Sequence, residues 1–125
     1  MLKTNESAEN YLETILVLSQ KKPVVRGVDI AEELGFKKSS VSVAMKNLRE
    51  KEQIRVTPEG YIYLTDSGRA IAEMIYERHR LLSRGLMLLG VDEHTATEDA
   101  CRIEHVISQE SFEAIKRHLH MTDEK

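Results

Sequence analysis

The chain has 125 residues, a net charge of −3 at pH 7 and one cysteine. This length suffices for one sizeable core, or for one core and a small satellite. A lone cysteine excludes an internal disulfide and favours a reducing compartment, so we expect a cytoplasmic protein. We expect neither a signal peptide nor a membrane span, because no long apolar run is present.

Charge is spread unevenly along the chain. Residues 36–49 contain four basic residues and no acid, whereas residues 91–125 contain nine acids and four bases. The basic segment favours a polyanionic partner, and the acidic segment favours cations or no partner at all.

Residues 5–20 predict an amphipathic helix that ends at Lys21-Lys22-Pro23. Its apolar side chains recur at helical spacing: Ala8, Tyr11, Leu12, Ile15 and Leu16. Asn10 and Glu13, three residues apart, share the opposite face. Taken alone, that face is an ordinary solvent-exposed one.

Two short helices joined by a tight turn are predicted next. The first covers residues 28–35 and ends at Gly35, and Ser39 is expected to cap the second, which extends to about Lys51. The second helix has four apolar positions spaced for burial: Val41, Ala44, Met45 and Leu48. It exposes small, polar and basic side chains: Ser40, Ser42, Val43, Lys46 and Asn47. This pattern is typical of a DNA-binding helix-turn-helix, with an ordinary helical hairpin as the alternative.

A β-hairpin is predicted directly after these helices. Residues 54–57 and 61–65 are β-rich, and Pro58-Glu59-Gly60 supplies the turn between them. A hairpin in this position is a wing, so a winged helix-turn-helix is favoured over the plain hairpin of helices.

The remaining chain predicts three helices. A long one begins at Ser67 and approaches Gly90, with its apolar positions at Ala70, Ile71, Met74, Ile75, Leu81, Leu82 and Leu86. His79 lies in its middle and, taken alone, is a packing residue. Asp92 is expected to cap the next helix, and residues 108–120 form the last, with buried Phe112, Ile115 and Leu119 and exposed His118 and His120. Residues 86–89 supply more apolar surface than the winged helix can cover, which favours a two-fold dimer.

Residues 98–108 carry the richest chemistry. In a continuous helix, Cys101, Glu104 and His105 share one face, and the opposite, core-facing side holds Ala100, Ile103, Val106 and Ile107. Thiol, carboxylate and imidazole groups are ligands for divalent transition metals. A solvated face with a stray cysteine is the plain alternative. The string Cys-x-x-Glu-His also approaches the His-x-x-Glu-His motif of inverted zinc peptidases, without its first histidine.

The order of these parts resembles the DtxR/MntR family of metal-dependent transcriptional repressors. The resemblance extends from Glu9-Asn10-Tyr11-Leu12 to about Leu119, and its most specific strings are Tyr76-Glu77-Arg78-His79-Arg80 and residues 100–108. It implies a mainly α fold, with a winged helix-turn-helix DNA-binding domain over residues 1–70 and an α-helical metal-binding and dimerisation domain over residues 71–125. It also implies a metal site with these ligands: Asn10, Glu13, His79, Cys101, Glu104 and His105.

The chain mixes features of the family's two branches. Asn10 stands where iron-type members have methionine and manganese-type members have aspartate, Glu13 follows the manganese type, and Cys101 follows the iron type. Ser83 and Thr97 stand where iron-type members carry a second-site glutamate and histidine, which argues against that ancillary site. At this length we expect the two-domain architecture of the manganese type, without the SH3-like third domain of the iron type. Cys101 offers either its thiol or its backbone carbonyl.

The sequence therefore predicts a homodimeric repressor, not an enzyme, that is activated by Fe²⁺ or Mn²⁺ and binds palindromic double-stranded DNA operators to control metal homeostasis. Co²⁺, Ni²⁺ and Zn²⁺ are expected to bind in vitro, and no membrane or small organic substrate is expected. The residues expected in the DNA groove are Ser39, Ser40, Ser42, Val43 and Lys46. Those expected on phosphates are Arg26, Lys37, Lys38, Gly60 and Tyr61.

Two other functions are considered. One is a winged-helix regulator that does not depend on metal, in which Cys101 is a redox sensor or a bystander. The other is a metal-dependent hydrolase, for which the sequence offers neither a general base nor a substrate cleft.

Overall fold

A computed structural model describes residues 2–123, with side chains described for residues 7–120. Its elements, in chain order, are α1 (Leu2–Lys21), α2 (Gly27–Leu34), α3 (Lys38–Glu50), β1 (Ile54–Val56), β2 (Ile62–Leu64), α4 (Asp66–Leu88), α5 (Glu93–Ile103) and α6 (Gln109–Asp123). The chain divides within α4 into a winged unit, from Lys3 to Met74, and a helical unit that begins at Ile75. No helix of the described part combines the length and the apolarity needed to cross a bilayer.

The helix-turn-helix is formed by α2 and α3. Gly35 ends α2 with φ 69°, a left-handed conformation that glycine adopts without steric cost, and its amide donates to the carbonyl of Ala31. Of the four residues expected in the core of α3, Val41, Met45 and Leu48 are buried and Ala44 is half-buried. The ring of Tyr11 on α1 meets that of Phe36 edge to face, with centroids 6.0 Å apart.

One local expectation for α3 is wrong. Ser39 does not cap the helix, because Lys37 has the extended backbone of an N-cap residue, φ −69° and ψ 143°, and the helix begins at Lys38. Ser39 therefore lies inside the first turn, where its side chain is exposed.

The wing is a two-stranded antiparallel hairpin in which Ile54 pairs with Leu64 and Arg55 with Tyr63. The alternation of a half-buried hairpin is present: Ile54, Ile62 and Leu64 are buried, and Arg55 and Tyr63 are exposed. The amide of Ile62 donates to the carbonyl of Val25 at 2.8 Å, which ties the wing to the loop before α2.

Helix α4 starts close to the segment before the wing. A Cβ at Gly68 would overlap the backbone carbonyl of Gln53, so only glycine fits this position. Ala70, expected in the buried stripe of α4, is exposed, and Ala72 is buried instead. Because apolar residues lie on adjacent faces of this helical turn, their spacing alone does not determine which face of α4 is buried.

The core of the helical unit includes Ile75, Leu82, Ala96, Ala100, Phe112 and Leu119. Asp92 caps α5 as expected, because its carboxylate accepts from the amide of Thr95 at 3.2 Å. Ser108 does the same for α6, with its hydroxyl accepting from the amide of Ser111 at 3.1 Å. The end of α4 exposes apolar side chains, with Leu89 just beyond it 83% exposed.

The expectation of one continuous helix over residues 98–108 is wrong. Helix α5 ends at Ile103, residues 104–106 form a turn, and α6 begins at Gln109. The assignment of faces changes accordingly, because Glu104 is fully buried and Val106 is 60% exposed. The guanidinium of Arg78, distant in the chain, donates hydrogen bonds to the carbonyls of Glu104 and Ile107, which a longer helix would have bonded to its own amides.

Candidate metal centre and DNA-binding surface

Three metal-ligating side chains converge in the helical unit. The three residues are His79 on α4, Cys101 in the last turn of α5 and Glu104, which directly follows α5. Each offers one ligand atom, and these atoms lie within 4.8 Å of one another. His105 follows in the same turn, with its Nε2 4.0 Å from Oε1 of Glu104 and its side chain 4% exposed. Four of the six predicted ligands therefore lie together, and the thiol of Cys101, not merely its carbonyl, belongs to the cluster.

Glu104 is the most informative member of this cluster. Its side chain is 1% exposed, and neither carboxylate oxygen accepts a well-aligned hydrogen bond from the described residues. The Nδ1 atom of His79 lies 3.3 Å away and is itself without an aligned partner. A buried carboxylate is costly unless donors or a cation surround it. An imidazole, a thiol and a carboxylate around one point fit a divalent transition metal.

The cluster also changes the acidity of His79. The Cys101 side chain, followed by the Glu104 carboxylate, raises the pKa of His79 from 6.5 to about 10. In the metal-free protein the imidazole is therefore protonated at neutral pH and forms an ion pair with Glu104. A metal ion at this position competes with that proton for the same group.

Asn10 and Glu13 belong to the winged unit, where both are half-buried on α1. They are three residues apart and so lie on neighbouring turns of one helix face, as expected. Their participation in the metal site stays a prediction.

Sequence reasoning missed Arg78. This residue is 8% exposed, and its guanidinium donates to the carbonyl of Glu104 at 3.0 Å, the carbonyl of Ile107 at 3.1 Å and Oε1 of Gln109 at 2.9 Å. Arg78 lies three residues after Ile75 and therefore on the buried side of α4. A charged residue on a buried helix face was the feature of the sequence that could have identified Arg78 as structurally important.

The predicted groove-facing residues share an exposed face of α3: Ser39, Ser40, Ser42, Val43 and Lys46. Ser42 and Lys46 also line a cleft between α3 and the wing, together with Gly60 and Lys38. Lys37 and Lys38 are exposed at the amino end of α3, where amides without helical partners attract phosphates. Arg49 lines the same cleft and was missed, although its spacing from Lys46 puts it on the same face.

Arg26 and Tyr61 form a pair across the helix-turn-helix and the wing. The guanidinium of Arg26 lies 4.9 Å from the centroid of the Tyr61 ring, and its Nη2 donates to the Tyr61 hydroxyl at 3.3 Å. The backbone amide of Arg26 donates to the Asp29 carboxylate at 2.9 Å. Two residues expected on phosphates are thus held side by side on one surface.

Comparisons with known proteins assign both units to the same family. Residues 3–61 match the family described as "Iron dependent repressor, N-terminal DNA binding domain", and residues 65–125 match "Iron dependent repressor, metal binding and dimerisation domain". The uncharacterized HTH-type transcriptional regulator MJ0568 of Methanocaldococcus jannaschii is 33% identical, over 90% of this chain and 91% of that protein. The HTH-type transcriptional regulator MntR of Bacillus subtilis is 35% identical, over 90% of this chain and 79% of that protein.

A similar solved structure is described as a manganese-dependent transcriptional repressor in complex with manganese. It superimposes with a TM-score of 0.82 at 29% sequence identity, over 90% of this chain and 52% of that one. The chain thus spans about half the length of that structure. The expected mainly helical fold with a winged helix-turn-helix is confirmed, and the hydrolase interpretation is wrong because these relatives are transcription regulators. The chain belongs to the DtxR/MntR family of iron-dependent repressors, with the family's DNA-binding domain followed by its metal-binding and dimerisation domain.

Proposed function

We propose that this chain is a transcriptional repressor that Fe²⁺ or Mn²⁺ activates, and that it binds palindromic DNA operators as a cytoplasmic homodimer to control metal homeostasis. The observation that carries the proposal is the cluster of His79, Cys101 and Glu104, in which a buried carboxylate lacks an aligned hydrogen-bond donor. Residues 1–70 are the proposed DNA-binding domain and residues 71–125 the proposed metal-binding and dimerisation domain.

The proposed metal ligands are the six residues expected from the sequence: Asn10, Glu13, His79, Cys101, Glu104 and His105. A bound divalent ion supplies positive charge that neutralises the buried Glu104 carboxylate. Since Asn10 and Glu13 come from α1 and the other four from the helical unit, ligation by both sets favours one arrangement of the two units over others. DNA affinity then rises because the ligands bind the ion more tightly in the DNA-competent arrangement.

The donor chemistry ranks the two candidate ions. Carboxylate and imidazole accept both Mn²⁺ and Fe²⁺, whereas a thiolate favours Fe²⁺ over Mn²⁺. Because the Cys101 sulfur lies in the cluster, we place Fe²⁺ slightly ahead of Mn²⁺. The similar solved structure described with manganese supports keeping Mn²⁺ as a candidate.

The exposed side chains of the winged unit have sizes and charges that suit contact with double-stranded DNA. Small side chains at Ser39, Ser40 and Ser42 allow α3 to enter the major groove, and Lys46 reaches phosphates at its rim. The exposed apolar residues at the end of α4 are proposed as part of the dimer interface, and a two-fold dimer presents two α3 helices to a palindrome.

The test begins with a palindromic duplex selected from random DNA by the metal-loaded protein. Affinity for this duplex is measured with chelator and then with Mn²⁺, Zn²⁺ or anaerobic Fe²⁺, for the wild-type chain and for Glu104→Ala. Tight binding that needs metal and is lost in Glu104→Ala supports the proposal, and the ranking of ions identifies the signal. Glu98→Ala is the matched control, because Glu98 is an exposed carboxylate of α5 that pairs with His94.

Equal affinity with chelator and with metal would refute the metal-activated repressor. In that case the winged helix remains a DNA-binding module, and oxidation of Cys101 becomes the next signal to test.

A further inference from the structure

Arg78 is a buried cation whose three hydrogen bonds all go to one distant segment. Its acceptors are the carbonyls of Glu104 and Ile107 and the side-chain oxygen of Gln109, which lie 26, 29 and 31 residues further along the chain. Burial of a guanidinium is unfavourable unless its donors find acceptors in good geometry. The structure meets that requirement for Nη1 and Nη2 at the connection between α5 and α6, whereas Nε is buried without a hydrogen-bond partner among the described residues.

This connection needs an external partner. Because α5 ends at Ile103 and α6 begins at Gln109, the carbonyls of Glu104 and Ile107 lie in the connection between two helices, outside both helical hydrogen-bond patterns. Nη1 of Arg78 donates to both carbonyls, at 3.0 and 3.1 Å. The guanidinium thereby replaces the missing helical hydrogen bonds and fixes the shape of the turn.

The turn that Arg78 holds is the one that carries two members of the metal cluster. Glu104 offers its carbonyl to Arg78 and its carboxylate to the cluster, and His105 is the next residue. His79, the ligand from α4, directly follows Arg78 in the chain. A shift of the turn relative to Arg78 therefore changes the separation between Glu104 and His79, whose side chains are 3.3 Å apart.

Two neighbours hold the guanidinium in place. The Gln109 amide donates to the Glu113 carboxylate at 2.6 Å, which orients its oxygen toward Arg78. The ring of Phe112 lies 5.6 Å from the Arg78 guanidinium carbon, within the range of a cation–π contact.

We propose that Arg78 is the positioning residue of the metal centre, an inference that rests on the proposed metal-binding function. It is not one of the proposed ligands; it sets the turn that places Glu104 and His105 opposite His79. Lysine cannot replace it, because an ammonium group has a single nitrogen, whereas Arg78 uses Nη1 for the two carbonyls and Nη2 for the side chain of Gln109. A fixed ligand separation selects the coordination geometry, so the residue acts on metal affinity and on the spectrum of the bound ion.

The test compares wild-type protein with Arg78→Lys and with Lys116→Gln. Lys116 bonds Glu77 at 3.0 Å and so joins α6 to α4 without contacting the 104–107 turn, which makes it the matched control. Calorimetry gives the Mn²⁺ affinity, the absorption spectrum of the Co²⁺ form reports coordination, and thermal unfolding of the metal-free protein reports stability. Arg78→Lys is expected to bind Mn²⁺ about 10- to 100-fold more weakly, as outer-shell substitutions do. Its Co²⁺ spectrum should also change, whereas Lys116→Gln should keep the wild-type affinity and spectrum.

A folded Arg78→Lys protein with wild-type affinity and spectrum would overturn the role of Arg78. If that variant does not fold, Gln109→Ala decides, since it removes the acceptor of Nη2 that orients the guanidinium toward the two carbonyls. Weaker Mn²⁺ binding by Gln109→Ala supports the proposal, and unchanged binding overturns it. A wild-type chain that binds neither Mn²⁺ nor Fe²⁺ would instead refute the proposed function itself.

Discussion

The two units of this protein place their polar chemistry in opposite ways. The winged unit exposes it: Lys46, Ser42 and Arg26 all have solvent-accessible side chains. The helical unit buries its two central charged groups: Glu104 and Arg78 lie in the core, where the Arg78 guanidinium donates to the Glu104 carbonyl. The first arrangement suits a large, hydrated polyanion, and the second suits a small ion that must be stripped of water.

This difference governs how substitutions should behave. Exposed groups act through screened charge, so each contributes a small and separate share that depends on salt. Buried groups share partners, so the removal of one leaves the others unsatisfied. Large, coupled effects are expected in the helical unit and small, additive effects in the winged unit.

The largest effect is expected for Glu104→Gln, which keeps the size of the side chain and removes its charge. A ligand that binds only the folded state stabilises it by about 2.7 kcal/mol at 100 times its dissociation constant. Metal should give the wild-type chain a stabilisation of this order, and Glu104→Gln should lose it. Urea unfolding with and without Mn²⁺ measures the increment.

Glu98→Gln provides the control for this prediction, because the same chemical change occurs at an exposed site on α5. It should retain the full metal-induced increment. A metal-induced increment that survives in Glu104→Gln would show that the helical unit does not depend on its buried carboxylate.

The second effect is a dependence of metal binding on pH. The pKa of His79 is raised from 6.5 to about 10 in the folded, metal-free protein. Its protonated form therefore stabilises the metal-free fold fully below pH 6.5, and this contribution is lost as the pH rises through 10. Metal binding shows the opposite trend, because the ion must displace the proton, and its apparent affinity should rise by roughly tenfold per pH unit for each proton released.

Calorimetry in two buffers with different ionisation enthalpies counts the protons that metal binding releases. His79→Gln should release one proton fewer than the wild-type chain at pH 7. Equal proton counts for the two proteins would remove His79 from the proposed ligand set.

The two units also differ in how far the sequence predicted them. In the winged unit the signals are local: Gly35 ends a helix, Gly60 lies in the turn of the wing, and apolar spacing gives the buried positions of α3. The structure agrees with these features, apart from the cap expected at Ser39.

In the helical unit the residue types of the site were recognised, but its geometry was not. The helical pattern of residues 98–108 continues without a break, whereas the helix ends at Ile103. At that end the Glu104 carbonyl accepts a hydrogen bond from Arg78, which lies 26 residues before Glu104. Local periodicity contains no information about such a distant partner, so the burial of Glu104 was assigned to the wrong face.

The third effect tests the additive behaviour of the winged unit. Lys46→Ala should weaken binding to all DNA sequences alike and reduce the slope of log affinity against log salt by about 0.9, the value for one phosphate contact. Lys51→Ala is the matched control, since Lys51 follows α3 and lines a different cleft with Ser7 and Ala8 of α1. Fluorescence anisotropy over a series of salt concentrations measures both slopes. An unchanged slope for Lys46→Ala would remove this residue from the proposed phosphate contacts.

The smallest effect is expected at the Arg26–Tyr61 pair. A cation–π contact at an exposed site contributes about 0.5–1 kcal/mol. If the Tyr61 ring holds the Arg26 guanidinium ready for phosphate, Tyr61→Ala should weaken DNA binding by roughly two- to fivefold. Tyr61→Phe keeps the ring and loses only the hydrogen bond at 3.3 Å, so it should stay close to wild type.

Tyr63→Ala is the comparison within the same hairpin, because Tyr63 is an exposed ring on β2 that pairs with Arg55. It should leave DNA affinity unchanged. The combined Arg26→Ala and Tyr61→Ala variant tests whether the two side chains contribute to DNA affinity together or separately. If Tyr61 acts only through Arg26, the double variant should bind no more weakly than Arg26→Ala alone. A fully additive loss would mean that each side chain contacts DNA by itself, as expected for the separate contributions of an exposed surface.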